Sequence, residues 1–376
     1  MNNRSINRRH FVKKLLEWTK MAALLCLFPS CAALRSADAR EKGSPAHAQH
    51  HGLSLREIVQ KRLHRGKDRF INPFIDVDFR SPWRLLRWKL FSENRFKTYY
   101  DQEKVNPVSV DWDTVKQKKG LSITFINHSS VMIKDLDKYI LVDPIFFGLG
   151  WLFKDFTPLS FDTEEMPRPD HVLITHGHYD HLDKPSIASL GKDAHVITPL
   201  GYSKILDDLK IKNHTQMDWF DSFRDGQTEI MLLPCNHWTM RNPITGPNRS
   251  LWGSFLIKTA NGKTLFISGD TAYFKGFRDI GMEFSIDLAI INLGAYEPRW
   301  FMATSHMNPC ETVQALKDLR AAHLMIVHWG TFRLGDEPVH FPPIHIRQEL
   351  KKEGLSDRLV FLNHGQTLFY DTFSVN

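Results

Sequence analysis

The sequence predicts an α/β fold in which β-sheets are covered by helices on both faces. From residue 121 onward, short apolar runs such as LSITFIN, HVLITH and HLMIVHWG alternate with helical segments. Runs that are apolar throughout indicate strands buried on both sides of a sheet. Histidine or aspartate ends several of them, which places candidate ligands along one sheet edge.

The N-terminus has the pattern of an export signal. Arg8-Arg9 precedes an apolar run over residues 21–34, which is too short to span a membrane, and Ala37-Asp38-Ala39 resembles a cleavage site. We expect residues 1–39 to be a twin-arginine-like signal and the mature protein to be periplasmic or membrane-associated. Lipoprotein processing at Cys31 and a cytosolic protein with a fortuitously apolar N-terminus are the alternatives.

The signal also accounts for most of the positive charge. Removing its seven basic and two acidic residues from the totals of 49 and 42 turns a net charge of +7 into +2. A near-neutral mature chain argues against a nucleic-acid partner. Cys235 and Cys310 remain outside the signal, which permits one disulfide but no disulfide framework. The oligomeric state stays open.

Composition divides the rest of the chain into a polar linker over 40–56, a basic and aromatic segment over 57–110, and a main domain over 111–376. In the segment, PWRLLRWKLF predicts a helix beginning at Pro82, with Trp83, Leu86 and Leu90 on one face. This helix either lies on a membrane surface or packs on the main domain. Further helices are predicted over 185–190, 200–210, 275–281 and 309–320.

The densest group of potential ligands is THGHYDHLD, residues 175–183. It places His176, His178, Asp180 and His181 on the loop that leaves a strand, where α/β sheets bind ligands. Alternate residues of such a turn can face the same way, so the first two can hold one metal ion and the last two a second. Imidazole and carboxylate donors suit two zinc ions, with iron or manganese also open at the second site.

Three other strand ends supply one ligand each. His237 follows EIMLLPC, Asp270 ends TLFISGD, and His328 ends HLMIVHWG. One histidine among 19 would by itself be a structural residue, but the repeated placement predicts a dinuclear metal site at the sheet edge. Asp183 either bonds a ligand imidazole or caps the helix near 185.

HGHYDH together with His237, Asp270 and His328 resembles the metallo-β-lactamase superfamily, whose fold is an αββα sandwich with a dinuclear site at one edge. The resemblance implies that the first zinc is held by His176, His178 and His237, the second by Asp180, His181 and His328, and that Asp270 bridges them. Asp143 in LVDP matches an aspartate that is usually structural in that fold.

Two more stretches, NLGAYEPRWFM (292–302) and VHWGTF (327–332), resemble the phospholipases D that hydrolyse N-acylphosphatidylethanolamine. This resemblance, over roughly residues 70–370, implies a zinc phosphodiesterase releasing N-acylethanolamine and phosphatidic acid from a phospholipid at a membrane surface. A water shared by two zinc ions, with its pKa lowered toward about 7, would supply the hydroxide. His306 falls near the family's scissile phosphate, although Ser305 departs from the family pattern. The predicted catalytic residues are Asp180, Asp270 and His306.

A nuclease, a lactonase or a β-lactamase of the same fold is the alternative. Near-neutral charge disfavours the nuclease, and the two phospholipase-like stretches disfavour the others. A non-catalytic zinc protein would close its metal shell with four ligands, whereas seven ligands over two ions leave open positions. We further predict an ion pair between Glu297 and Arg299, with substrate contact as the alternative, and a packing role for Cys235.

Export should depend on Arg8-Arg9. Changing both to lysine keeps the charge but removes the twin-arginine pair, so the envelope fraction of the protein should fall sharply in cell fractionation. Changing Lys13 and Lys14 to arginine is the matched control and should leave export intact. An undiminished envelope fraction in the first variant contradicts the prediction.

Overall fold

Two mixed β-sheets pack face to face between layers of helices, which confirms the predicted αββα sandwich. The computed structural model describes residues 52–75, 82–150, 153–191, 193–242, 244–371 and 374–375. The α-helices of these ranges are α1 (Leu55–Gln60), α2 (Pro82–Phe91), α3 (Trp112–Gln117), α4 (Lys184–Ser189), α5 (Ser203–Asp208), α6 (Gly276–Glu283), α7 (Arg299–Met302), α8 (Pro309–Asp318) and α9 (Phe341–Lys352). Short 3₁₀ helices span Lys97–Gln102 and Ser356–Arg358.

Each of the two sheets contains antiparallel hairpins on one side and parallel strands on the other. They are β1 (Leu121–Asn127), β2 (Ser130–Asp135), β3 (Lys138–Val142), β4 (His171–Leu173), β5 (His195–Pro199), β6 (His214–Met217), β7 (Ser222–Asp225), β8 (Thr228–Leu233), β9 (Ser254–Lys258), β10 (Thr264–Ile267), β11 (Leu288–Asn292), β12 (His323–Val327), β13 (Thr367–Phe369) and β14 (Ser374–Val375). The described strands run β14-β13-β1-β2-β3-β4-β5-β6 in one sheet and β12-β11-β10-β9-β8-β7 in the other. Strands β3 to β6 and β10 to β12 are parallel. The loops after them therefore meet at one edge.

The central strands of each sheet are buried on both faces, as their all-apolar runs predict. In the first sheet, Ile133 and Ile140 point into the core between the sheets, whereas Met132 and Leu141 pack with Trp112 of α3 on the outer face. Helices α4 and α5 complete that outer layer. Helices α6, α8 and α9 cover the second sheet. Neighbouring strand residues thus serve two different layers, which requires an unbroken apolar sequence.

The described part of the predicted linker belongs to the folded domain. The Ser54 hydroxyl accepts from the Glu57 N–H, which caps α1, and Leu55 lies in the main core. Arg56 bonds Glu283 of α6. The linker predicted over 40–56 therefore ends before Ser54, and the predicted export signal over 1–39 lies outside the described residues.

Helix α2 forms as predicted and packs on the main domain. Trp88 is only 5% exposed, its ring lies 5.1 Å from that of Phe301, and its indole N–H donates to Asp336 Oδ2 at 2.8 Å. Of the two alternatives predicted for this helix, the structure has packing on the main domain at Trp88, so this tryptophan is a core residue and cannot contact a membrane. The side chain of Trp83 lies outside the described part. Within the described ranges, no helix combines the length and apolar composition of a membrane span.

Some elements differ from the sequence prediction. The other predicted helices correspond to α4, α5, α6 and α8, whereas α9 was not predicted because it opens with Pro342-Pro343, whose missing N–H groups are harmless in a first turn. The apolar run LVFLN over 359–363 also has the composition of a strand, but it pairs with β12 only through an isolated bridge from Leu359 to Leu324. Cys235 and Cys310 are free, so the disulfide that their number permitted is not formed.

A buried lysine fixes helix α3 to the first sheet. Lys134 of β2 is 5% exposed, and its Nζ donates to the carbonyls of Val115, Lys116 and Lys118 at 2.9, 2.7 and 2.6 Å. Carbonyls at a helix C-terminus lack intrahelical donors and carry partial negative charge. The ammonium therefore satisfies the end of α3.

Replacing Lys134 with methionine should lower the free energy of unfolding by about 2 kcal/mol, because hydrogen bonds from a charged donor are lost and buried carbonyls are left unpaired. Urea denaturation measures this change. Lys138→Met is the matched control: its Nζ pairs with Asp170 and Asp225 at the surface, and such pairs contribute less than about 1 kcal/mol. Equal losses in the two variants contradict the assignment.

Candidate metal centre

Loops from both sheets bring all seven predicted ligands together at one edge. HGHYDH follows β4 of the first sheet, whereas His237, Asp270 and His328 follow β8, β10 and β12 of the second. Within each of two groups the ligand atoms lie within 4.8 Å of one another; the groups are His176, His178, His237 and Asp270, and His128, Asp180, His181 and His328. We call them the first and the second ligand group.

Asp270 lies between the two groups and is almost fully buried. Its Oδ1 is 3.2 Å from His328 Nε2, and its Oδ2 is 3.3 Å from His181 Nε2. The same Oδ2 is 3.8 Å from the Nε2 atoms of His176 and His237. This carboxylate faces both groups, which is the placement predicted for a bridging ligand.

In the first group, three imidazole nitrogens converge on one point. His178 Nδ1 lies 2.9 Å from His176 Nε2 and 3.3 Å from His237 Nε2. His237 Nδ1 must carry a proton because it donates to the Ser305 carbonyl at 3.1 Å, so its Nε2 presents a lone pair. Burial and the neighbouring imidazoles hold the pKa of His176 and His237 well below the ordinary value. These rings are neutral donors suited to a divalent ion.

The Asp143 carboxylate orients one imidazole in each group. Its Oδ2 accepts from His181 Nδ1 at 2.8 Å and from Thr175 Oγ1 at 2.6 Å. Since the Thr175 hydroxyl donates to Asp143, its oxygen accepts from His176 Nδ1 at 3.0 Å. Both imidazoles therefore turn Nε2 toward the centre, a partner arrangement typical of metal-ligating histidines. The structural role predicted for Asp143 includes setting these tautomers.

The second group is rich in negative charge. Burial disfavours a charged imidazole, but Asp270 and Asp180 outweigh it, raising the pKa of His181 well above its ordinary value and that of His328 to about 9. Burial likewise opposes the carboxylate charges, yet surrounding histidines hold the pKa of Asp180 and Asp270 well below the usual range. Positive charge is therefore favoured between these carboxylates.

The donor atoms fit two divalent ions. The buried Nε2 atoms of His181 and His328 lie 3.3 and 3.2 Å from the Asp270 carboxylate without an aligned hydrogen bond to it, and an ion between them would satisfy both the nitrogens and the carboxylate. An ion at the second group would displace the protons that these imidazoles attract, as metal binding to histidine does in general. Nitrogen donors in the first group and mixed nitrogen and oxygen donors in the second match borderline divalent metals.

His128 is a member of the second group that the sequence analysis missed. Its Nε2 is 3.1 Å from Asp180 Oδ2, and its ring centroid is 4.1 Å from that of His328. Burial and His328 lower the pKa of His128 to about 3, so the ring is neutral and its Nε2–H donates to the Asp180 carboxylate. His128 directly follows β1, and the strand-end position that identified His237 and His328 could have identified it as well.

Two other missed residues support the ligands. Asn292, at the end of β11, donates from Nδ2 to Asp270 Oδ1 at 2.8 Å. Arg241 donates to the Leu182 carbonyl at 2.7 Å and lies over the Tyr179 ring at 4.0 Å, which fixes the HGHYDH loop. No local pattern marks these contacts, because each joins segments that are distant in sequence.

His306 lies on the accessible side of the centre. Its Nδ1 is 3.9 Å from Asp270 Oδ2, and its side chain retains 16% exposure. Burial lowers the pKa of His306 to about 4, which leaves the ring neutral at pH 7. The Arg299 guanidinium donates to the His306 carbonyl at 2.9 Å and so fixes the loop that carries it.

The predicted ion pair between Glu297 and Arg299 is wrong. Arg299 Nη2 pairs with Glu311 at 2.7 Å, at the capping box of α8, whereas Glu297 pairs with Arg95 at 3.1 Å. Of the two alternatives for Asp183, the structure has the helix cap: its carboxylate accepts from the Ser186 N–H at 3.1 Å. Cys235 is buried, as its predicted packing role requires.

Comparison with known proteins gives consistent matches. The family described as a beta-lactamase superfamily domain matches residues 138–329. N-acyl-phosphatidylethanolamine-hydrolyzing phospholipase D 1 of Caenorhabditis elegans is 30% identical over 266 residues, which cover 65% of this chain and 74% of the relative. The mitochondrial N-acyl-phosphatidylethanolamine-hydrolyzing phospholipase D of Saccharomyces cerevisiae is 32% identical over 247 residues, covering 62% of this chain and 52% of the relative. This chain thus spans about half the length of the yeast protein.

A solved structure supports the same fold. The isothiocyanate hydrolase from Delia radicum gut bacteria superposes with a TM-score of 0.55 at 18% identity, covering 66% of this chain and 98% of that one. At this identity the likeness concerns the architecture of the sandwich alone.

Asp270→Asn should remove the negative charge between the two ligand groups while keeping the size of the side chain. Metal content, measured on purified protein by elemental analysis, should fall by about one ion per chain or more, because carboxylates bind hard and borderline cations far better than amides. Asp135→Asn is the matched control, since Asp135 is equally buried but bonds Thr228 away from the centre. Retention of full metal content by Asp270→Asn excludes the bridging role.

Proposed function

The chain belongs to the metallo-β-lactamase superfamily of metal-dependent hydrolases, and within it we propose a zinc-dependent phosphodiesterase of the phospholipase D type. Its substrates are N-acylphosphatidylethanolamine-like lipids, which it hydrolyses to N-acylethanolamine and phosphatidic acid. The proposal extends to this chain the activity for which the worm and yeast relatives are named.

The position of the phospholipase-like stretch carries this proposal. The stretch begins at Asn292, which donates to Asp270, and continues to Arg299, which bonds the carbonyl of His306. His306 in turn faces Asp270. Residues that resemble the phospholipases D thus form one wall of the metal centre itself, where they can touch a reacting phosphodiester.

The residues of the metal centre have separate roles in the proposed reaction. When bound, two zinc ions supply an activated water and neutralise charge on phosphoryl oxygens during in-line displacement. Asp270 and the flanking imidazoles fix the separation of the two ligand groups. His306, neutral at pH 7, donates an N–H hydrogen bond to a phosphoryl oxygen on the accessible side. The Cys235 thiol is no rival nucleophile, because burial raises its pKa.

We infer that the protein binds its lipid substrate at a membrane surface outside the cytoplasm. Phe91 at the end of α2 is 78% exposed, and Trp300 beside the metal-centre wall is 41% exposed. The two elements are connected through Phe301, whose ring contacts both Trp88 and Trp300. Exposed apolar tips next to the basic residues Arg87 and Lys89 suit the boundary of an anionic bilayer. The export signal predicted over residues 1–39 favours the same location.

A lipid panel tests the proposed reaction. Purified protein loaded with zinc is given vesicles of N-acylphosphatidylethanolamine, phosphatidylethanolamine or phosphatidylcholine, and phosphatidic acid is measured. The N-acylated lipid should react about tenfold faster or more, since a pocket that accommodates the additional acyl chain gains apolar contact. Asp270→Asn, purified in parallel, controls for contaminating lipases. Turnover of lactones or β-lactams without release of phosphatidic acid refutes the assignment.

A further inference from the structure

We propose that His128 is a positioning residue for the second metal ion. Its imidazole N–H holds the Asp180 carboxylate in the orientation that an ion at the second ligand group requires. The inference rests on the proposed function only in assuming that two divalent ions bind, and it concerns their affinity rather than the substrate.

The backbone of His128 is fixed on both sides. His128 occupies the turn between β1 and β2 with φ of +43°, a region that costs free energy for residues other than glycine. Its N–H donates to Thr331 Oγ1 at 2.7 Å, and its carbonyl accepts from the His328 N–H at 2.6 Å. Thr331 is held in turn by Thr157 at 2.7 Å. These bonds join the first sheet to the loop after β12.

The ring of His128 contacts the second ligand group from several sides. Nε2 lies 3.1 Å from Asp180 Oδ2, and the ring centroid lies 4.1 Å from that of His328 and 5.6 Å from that of His181. One neutral side chain thus touches every other member of its group. Its removal should therefore affect one metal site and not the other.

Hydrogen bonding separates a positioning role from a ligand role. The buried Nε2 atoms of His181 and His328 face the Asp270 carboxylate at 3.3 and 3.2 Å without an aligned hydrogen bond, so their lone pairs can be given to an ion. The Nε2 atom of His128, by contrast, bonds the Asp180 carboxylate. A carboxylate oxygen has lone pairs for both a donor and an ion, so Asp180 can accept this bond and still coordinate. Such bonds orient metal-ligating carboxylates in general.

The test measures zinc binding to full-length variants by competition with a chelator, without substrate. His128→Leu removes the donor at similar volume and should weaken binding of the second ion by about 10- to 100-fold while leaving the first unchanged. His128→Gln keeps an N–H donor at a similar distance and should retain most of the affinity. His64 is the matched control, because it is also fully buried and bonds a carboxylate. Its Nε2 lies 2.9 Å from Asp218 Oδ1, and this pair is remote from the metal centre. His64→Leu should leave both ions unaffected.

Several outcomes overturn the proposal. Wild-type affinity for both ions in His128→Leu makes the residue structural only, and equal weakening of both ions removes the selectivity for the second site. An equal loss in His128→Leu and His128→Gln makes His128 a ligand. Thermal unfolding checks that the variants fold. Should His128→Leu not fold, His128→Asn, whose shorter amide does not reach Asp180, is compared with His128→Gln instead. Zinc binding and lipid turnover are separate readouts, so failure of one leaves the other to be judged independently.

Discussion

The buried carboxylate of Asp143 links the two halves of the metal centre. A carboxylate without access to water is tolerated only when donors surround it, and Asp143 receives bonds from the Thr175 N–H, the Thr175 hydroxyl and His181. The Thr175 hydroxyl donates to Asp143 and accepts from His176 Nδ1. One carboxylate thus sets the tautomer of an imidazole in each ligand group, directly at His181 and through Thr175 at His176. Asp143 can do this only because β3, which it follows, lies parallel to β4, which leads into HGHYDH. The strand order of the sheet thus determines the protonation pattern of the site.

The separation of the ligands is a property of the sandwich as a whole. The first sheet delivers the HGHYDH imidazoles and Asp180, and the second delivers Asp270 and His328. The apolar core between the sheets therefore fixes how far Asp270 lies from His181. Folding positions the metal ligands, and metal binding in turn stabilises the fold, since an ion that binds only the folded protein stabilises it by mass action. Neighbouring histidines already hold the pKa of Asp180 and Asp270 below the usual range, so the ionised carboxylates favour folding at neutral pH, and bound cations would add to this stabilisation.

Sequence reasoning succeeded where a local pattern carried the information. Spacing and strand-end position predicted seven residues that the structure brings together in two groups able to hold metal ions, and unbroken apolar runs predicted the sandwich. It failed where partners are distant in the chain. The composition of the segment over 57–110 left open whether its helix meets a membrane or the main domain, because the burial of Trp88 depends on its contacts with Asp336 and Phe301. Likewise, Glu297 and Arg299 are neighbours in sequence whose charges turn to different partners, because Arg299 closes the loop before α8. Tertiary contacts of this kind have no signature within a short window.

One fold can support different hydrolases because the metal ligands and the residues that surround them lie on different structural elements. The ligands are fixed by strand ends, so the metal chemistry follows from the architecture and leaves little room for substrate choice. Substrate specificity must therefore come from elements around the sheet edge that carries the ligands. In this protein these elements are the wall from Asn292 to His306 and helix α2, which packs behind it. Trp88 and Phe301 join the two elements, while Phe91 and Trp300 expose apolar surface beside them. A wall that both touches the metal centre and carries exposed apolar tips suits a phosphodiester embedded in a lipid surface. A small soluble ester would need the first property and not the second.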